Sequence, residues 1–230
     1  MRDNDPKLKP VGLLDALQRF VPAEQVTSHT EGDDSGEPSF AVEPATRSEL
    51  VDTVKWVNEA GAVVFTRRPR ERDGQLARGR PRVYLRGHRM ARIQDLDVVS
   101  GTVTVQSGLT MNALHAYLGE KGYTTGFATR GWRDMSVGAV IASALDSHWG
   151  PPFGRQESEV VGLGAVLPNG TAMDTRQVPA RAAGPDLDRL LLGSRGRFGI
   201  VFGILGFVFG HVGRHRALFV PLLLCKFLCC

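Results

Sequence analysis

Apolar positions along the chain change period several times, and each change marks an element. Val11, Leu14 and Leu17, with Phe20, repeat at helical spacing near the start. The polar stretch 27–38, rich in Glu, Asp, Ser and Gly, follows as a loose connection, so residues 1–38 read as a leader, partly disordered, with order beginning at Ser39. A short strand over Ser39–Val42 is ended by Pro44. Thr46-Arg-Ser-Glu49 has the form of a capping box, in which the Thr hydroxyl and the Glu carboxylate satisfy backbone donors left over at a helix start. Leu50, Val54 and Val57 continue at helical spacing until Gly61, which is suited to the left-handed turn that stops a helix. Residues 62–66 form the next strand. Strand, helix and strand make a βαβ unit, and its crossover should be right-handed.

Residues 67–92 carry ten Arg and two acids, with Pro69, Gly74, Gly79 and Pro81 and little periodicity before Val83-Tyr-Leu85. Strict alternation returns in Thr102–Gln106, opened by the turn pair Ser100-Gly101. Met111, Leu114 and Leu118 mark one face of a helix ended by Gly122. A small-residue helix is predicted over 136–145, started by Asp134. A strand over 160–167 leads into Pro168-Asn-Gly170, a strong hairpin signal. A short helix over 186–192 is followed by the glycine-rich turn 193–199 and the apolar Ile200-Val-Phe. The apolar runs 198–210 and 217–230 both fall short of the ~20 residues that cross a bilayer, and they read as buried strands. No internal repeat is visible.

Composition narrows the class. The chain has 230 residues, 42% of them apolar and 23% charged, with 27 Gly and 13 Pro, which is an ordinary globular composition rich in turns. Disorder throughout, collagen-like sequence and a coiled coil are excluded. Net charge is only +4, yet the bases are 23 Arg to 5 Lys. The three cysteines, Cys225, Cys229 and Cys230, lie together at the end, so no disulfide framework spans the fold, and a reducing, cytoplasmic setting is expected. The polar first ten residues are unlike a signal peptide.

Few side chains form a catalytic pattern. Six His are scattered at 29, 88, 115, 148, 211 and 215. His211 and His215 have i,i+4 spacing, but Gly210 and Gly213 spoil the helix that a metal pair would need. Asp95 and Asp97 alternate along a strand and read as its solvated end. Ser194 is not in a nucleophile elbow, since Gly-x-Ser-x-Gly would need Gly at 192, where Leu stands. Gly193, Gly196 and Gly199 sit three apart between a helix and a strand, which fits neither a P-loop nor a dinucleotide fingerprint and instead marks a tight turn of close backbone approach.

In order along the chain, several segments resemble a known family. They are 50–66, Met90-Ala-Arg-Ile-Gln-Asp-Leu-Asp97, Val103-Thr-Val-Gln-Ser-Gly108, Ser136-Val-Gly-Ala139, Val161-Gly-Leu-Gly-Ala-Val-Leu-Pro-Asn-Gly170 and 183–200, the last being the most specific. Together they look like the FAD-binding domain of the vanillyl-alcohol oxidase and p-cresol methylhydroxylase (PCMH-type) flavoproteins. The nearest branch holds glycolate oxidase, D-lactate dehydrogenase and alkyldihydroxyacetonephosphate synthase. The resemblance implies an α+β fold with two lobes, a small βαβ lobe (39–105) and a larger lobe with an antiparallel sheet and flanking helices (106–210). FAD would lie extended between them and accept hydride at N5 from a D-2-hydroxy acid or related substrate. It also implies that Ser136, Val137, Gly138 and Ala139 present backbone to the cofactor. Ser143 falls near the flavin, Phe153-Gly154 stands for a Tyr-Gly pair, and Gly199 and Ile200 line the adenosine end.

The departures are as informative. After the strand ending at Thr66 the family places a glycine-rich loop whose consecutive N–H groups form a nest for pyrophosphate. Here that place is Arg-rich, Pro69 and Pro81 have no N–H to donate, and phosphate would have to be paired by arginines instead. Ala139, Ala144 and Ser147 replace two glycines and an asparagine, and Arg195 and Arg197 replace Glu and Thr. His88 lies near the place of the covalent flavin histidine of some members. Residues 211–230 read as the remnant of a substrate domain, so the expected protein is a truncated FAD-binding oxidoreductase domain with no catalytic residue named within it. Two alternatives stand beside it: a flavin-free scaffold of the same fold, and a nucleic-acid binder acting through the arginines of 67–92. Neither a metal nor a membrane partner is expected.

Overall fold

A computed structural model describes residues 10–29, 38–67, 73–125, 133–143, 160–175 and 185–210. Contacts divide the chain into two compact units, residues 1–89 with 166–172, and residues 90–165 with 173–230. The architecture is α+β, as the family resemblance implies.

In the first unit a four-stranded sheet has the order β1 (Val26–His29), β2 (Ser39–Val42), β4 (Arg82–Leu85), β3 (Val63–Phe65). Strands β2, β4 and β3 are parallel, with Val42 opposite Leu85 and Phe65 opposite Tyr84. Both β2 and β4 are buried along their whole length, as central parallel strands are. Helix α1 (Pro10–Leu17) leads in, its Leu17 fully buried while Phe20 just beyond it is exposed. Helix α2 (Arg47–Glu59) connects β2 to β3 and buries Leu50, Val54 and Val57, together with Trp56, which the spacing alone did not single out. Its cap is Thr46, whose Oγ1 accepts from the Glu49 N–H at 3.2 Å; the Glu49 carboxylate reaches back one residue further than a standard box, to the Ala45 N–H at 2.8 Å. Order does not begin at Ser39. Residues 26–29, expected in the loose leader, pair antiparallel with β2 from Val26↔Val42 to His29↔Ser39. Val26-Thr-Ser-His29 becomes a strand because β2 offers it an open edge, and Val26 is buried there. Short helix α3 (Asp73–Ala77) was likewise hidden in the Arg-rich segment.

In the second unit a five-stranded sheet runs β5 (Ile93–Asp97), β6 (Thr102–Gln106), β10 (Ile200–Phe207), β8 (Val160–Val166), β9 (Ala172–Asp174). Both β5 and β10 are antiparallel to β6. The division between units therefore falls at Arg89/Met90, ahead of the lobe boundary expected near 105, because β5 and β6 hydrogen-bond within this second sheet. Alternation in β6 is as predicted, with Val103 and Val105 buried and their neighbours half-buried. They join Met111, Leu114 and Leu118 of α4 (Met111–Glu120), and Val137, Val140 and Ile141 of α5 (Val137–Ser143), in one apolar core. Leu163, Leu191 and Ile204 complete it from β8, α6 (Leu187–Leu191) and β10. Strand β10 is only half-buried apart from Ile204, so its apolar run is not the fully buried strand expected. The predicted Asn-Gly turn joins β8 to β9, with Gly170 at φ 80° and its N–H on the Leu167 carbonyl at 2.9 Å. Strands β7 (Tyr123–Thr124) and β11 (Phe209–Gly210) form a separate two-residue ladder. Among the described residues no helix is long and apolar enough to cross a membrane, and residues 217–230 lie outside them.

Leu118 is fully buried on the inward face of α4. Leu118→Ala is expected to cost about 2–5 kcal/mol of unfolding free energy through lost burial and the cavity left behind, read as a lowered denaturant midpoint.

Candidate functional site

The second unit gathers most of the residues that the sequence nominates. Ser136, bridged to Thr110 across an isolated antiparallel pair, opens α5. Its Oγ accepts from the Ala139 N–H at 3.2 Å, so Ser136 caps the helix rather than Asp134. The Val137 N–H donates to the Leu109 carbonyl at 2.8 Å, the Gly138 N–H to the Ser107 carbonyl at 2.8 Å, and the Val140 N–H to the Ser136 carbonyl at 3.0 Å. The donors that a helix start leaves over are thus consumed by the chain itself. Gly138 is needed for the same contact: a Cβ there would lie 2.7 Å from Ser107 Cβ and 3.0 Å from its carbonyl oxygen.

The glycine-rich turn meets the other end of α5. The Gly193 N–H donates to the Ile141 carbonyl at 3.1 Å and the Arg195 N–H to the Ala142 carbonyl at 2.9 Å. Gly193, Arg195 and Gly196 all have positive φ, the tight turn that the glycine spacing predicts. Ser143 ends α5 half-buried, Gly199 is buried and Ile200 starts β10. The stretches 136–139 and 193–195 are therefore brought to the two ends of one seven-residue helix, about 10 Å apart. Ser107 ties this helix to the sheet, since its own N–H donates to the Phe202 carbonyl at 3.0 Å. Phe153 and Gly154 lie outside the described residues.

The first unit carries its chemistry at the carboxyl ends of its parallel strands, the edge where open α/β sheets bind ligands. Beyond β3, Arg67 closes on Asp73 through both guanidinium amino groups, Nη1 lying 3.0 Å from Oδ2 and Nη2 pairing Oδ1. Tyr84 donates its hydroxyl to Asp73 Oδ2 at 3.2 Å. The Arg67 guanidinium lies 5.0 Å over the Phe65 ring, and that ring stacks on Tyr84 at 5.4 Å. The Asp73 carboxylate is fully buried, and a buried charge must be paired in this way to be tolerated. Burial and then the charge of Asp73 push the Tyr84 hydroxyl above its ordinary pKa. The expectation that the arginines here turn to phosphate fails for Arg67, which serves an internal carboxylate.

Beyond β2 and β4 a second carboxylate is treated differently. Glu43 Oε1 lies 3.5 Å from Arg86 Nη1, and its Oε2 lies 3.1 Å from His88 Nε2 and 3.3 Å from Arg89 Nε. All three of those side chains are open to solvent. Sequence reasoning passed over both carboxylates. The available signal was position, since Glu43 directly follows β2.

Other candidates are resolved locally. Asp97, at the strand end as expected, accepts from the Val99 and Ser100 N–H groups at 2.8 and 3.0 Å, which lowers its pKa through the bonds from Ser100 and fixes the β5–β6 turn. His115 Nε2 sits 2.8 Å from Thr125 Oγ1, and burial, with Arg133 nearby, lowers its pKa. No group of His, Cys, Asp and Glu among the described residues could hold a metal ion, and His148, His211 and His215 lie outside them.

A family model described as an FAD binding domain matches residues 38–176, more than half of the chain. An uncharacterised FAD-linked oxidoreductase of Escherichia coli, YgcU, is 36% identical over 114 residues, covering 50% of this chain and 24% of that protein. A D-2-hydroxyglutarate dehydrogenase of Xanthomonas citri pv. viticola is 29% identical over 162 residues, covering 69% of this chain and 34% of its own length. The chain thus spans 24–34% of the length of these relatives. Among solved structures, alkyldihydroxyacetonephosphate synthase superposes with a TM-score of 0.74 at 19% identity, over 91% of this chain and 42% of that one. A p-cresol methylhydroxylase with substrate bound superposes at 0.65 and 15% identity, over 87% and 43%. The PCMH-type fold follows from these superpositions.

Two outcomes follow from this geometry. Gly→Ala inside a helix ordinarily stabilises by about 1 kcal/mol, but Gly138→Ala is expected to destabilise by about 1–3 kcal/mol as α5 is forced off Ser107, with Ser107→Gly restoring part of the loss; denaturant midpoints of the two single variants and the double variant check this. For Tyr84 the folded pKa lies above the unfolded value of 10.0, so its contribution is complete below that pH and disappears as pH climbs through the folded value. Unfolding free energy should fall with alkaline pH more steeply in the wild type than in Tyr84→Phe.

Proposed function

Because the chain belongs to the FAD binding domain family, we propose that it forms the flavin-holding part of an FAD-linked oxidoreductase acting on a D-2-hydroxy acid. FAD is the cofactor that this membership assigns. The observation that carries the proposal is the family match over 38–176, because it takes in both the basic strand ends of the first unit and the Ser107–Gly138 junction of the second. The substrate class comes from the D-2-hydroxyglutarate dehydrogenase relative.

The residues fit the cofactor unequally. Cations at the carboxyl ends of β2 and β4 suit a diphosphate, whereas Arg67, committed to a buried carboxylate, does not. Ser136, Val137, Gly138, Ala139, Ser143, Gly199 and Ile200, all in the second unit, are the residues proposed to face the cofactor. For the first four this means contact by carbonyls, side-chain surface or shape, since the N–H groups of 137, 138 and 139 already have partners. Bound FAD would supply hydride acceptance at N5; the chain's part is to hold and orient it.

The Arg67–Asp73 closure favours one rival, a scaffold of the same fold that has given up flavin. Protein purified without added cofactor decides between them. Equimolar FAD, seen as a visible flavin spectrum that survives gel filtration, is expected. A folded, colourless protein that takes up no FAD on titration would establish the scaffold instead.

A further inference from the structure

Among the described residues the sheet of the second unit ends on β5, which pairs with β6 along one side. Its ladder is interrupted between Ile93 and Asp95 and regular from there on, with Asp95 opposite Thr104, Leu96 opposite Val103 and Asp97 opposite Thr102. Successive residues of a strand point to opposite faces, so Leu96 shares the face of Val103 and packs against the core, while both aspartates lie on the other face. Along the strand runs a cleft of about 530 Å³, walled on its far side by Tyr117 and Lys121 of α4 and Tyr123 of β7. Asp95 is exposed there. Lys121 rests its ammonium 5.0 Å over the Tyr117 ring, so that wall presents ring and aliphatic stem. Val98 and Val99, just past the strand, are 57% and 97% exposed.

An outer strand offers its outward N–H and C=O groups to any extended chain. Charge decides which chain is admitted. Antiparallel pairing of β5 with a second copy of itself, centred on Leu96, would set each Asp95 against the other copy's Asp97, and like charges directly opposite are unfavourable. A strand with basic residues in those two places meets opposite charges instead. Its residue between them, opposite Leu96, would enter the cleft beside Tyr117 and Tyr123, where an apolar side chain leaves water. Strand addition of this kind draws affinity from main-chain hydrogen bonds and selectivity from alternate side chains.

We propose that β5 is a docking edge for an extended, basic segment of a partner protein, with cations beside Asp95 and Asp97 and, between them, an apolar side chain seated in the cleft against Leu96, Tyr117 and Tyr123. The site lies wholly within the second unit and does not depend on the flavin reading. It also gives the two aspartates one joint role: they turn away a second β5 and admit a strand of opposite charge.

The test is fluorescence anisotropy of the full chain with labelled heptapeptides: one alternating Lys with Val, one alternating Glu with Val, and the Lys peptide N-methylated along its whole backbone, which keeps the charge and removes the donors. The Lys peptide is expected to bind about tenfold or more tightly than the Glu peptide, against the chain's net charge of +4. N-methylation is expected to abolish that binding, which simple attraction to an acidic surface would not require. Asp95→Lys, a change at an exposed position, should lower affinity for the Lys peptide about tenfold and raise it for the Glu peptide. In hydrogen exchange the outward-facing amides of 93–97 should be protected only when the Lys peptide is bound. No binding of the Lys peptide, equal binding of its N-methylated form, or indifference to Asp95→Lys overturns the proposal. Protection of those amides before peptide is added overturns it too, giving the edge to a second copy if the protein is a dimer and to another part of the chain if it is a monomer.

Discussion

Main-chain contact between Ser107 and Gly138 is the constraint on which the second unit is built. Strand β6 pairs with β10 up to Gln106 opposite Gly203, and the Ser107 N–H continues that ladder onto the Phe202 carbonyl. The Ser107 carbonyl then turns outward to accept the Gly138 N–H. A hydrogen bond of this kind needs two backbones at close range, and only a residue without Cβ permits the approach. Once α5 is seated there, its far end receives Gly193 and Arg195, and its apolar face completes the core with Val103, Val105 and Leu114. A sheet, a helix and a glycine turn are thus assembled by backbone groups, with side chains filling the space that remains.

This alters what the glycines mean. A small residue near a dinucleotide is readily taken as room for the ligand, yet Gly138 is accounted for by the chain's own packing. Ala139 beside it is compatible with the same helix start because its N–H is taken by Ser136 Oγ. Substitution of a glycine at 139 therefore says little by itself about whether cofactor is retained, whereas substitution at 138 would bear on the fold.

Electrostatics divides the first unit's sheet edge into a sealed part and an open one. Desolvation makes an unpaired buried carboxylate intolerable, so Asp73 draws in Arg67 and the Tyr84 hydroxyl and the three become one structural group over the Phe65 ring. Glu43 keeps some contact with water and is under no such compulsion. An Arg-rich segment that looks uniform in sequence therefore contains arginines of different kinds, and what separates them is the burial of the acid each one meets.

Local rules were enough for much of this molecule. Helix α2 with its Thr46 cap, the alternation of β6, the Met111–Leu114–Leu118 face and the Asn169-Gly170 turn are legible because each depends on residues within a few positions of one another. Ordered family-like segments likewise pointed to the flavoprotein fold. Strand β1 was not legible, since four residues are too few to show a period and residues 26–29 take their conformation from the open edge of β2, ten or more residues away. Nor were the Asp73 and Glu43 clusters, whose partners lie up to 46 residues apart and meet only when parallel strands align their ends. Hydrophobic period and turn chemistry are short-range and were written in the chain; strand pairing across a sheet, and the burial that settles which acid holds which arginine, exist only once the sheet has formed.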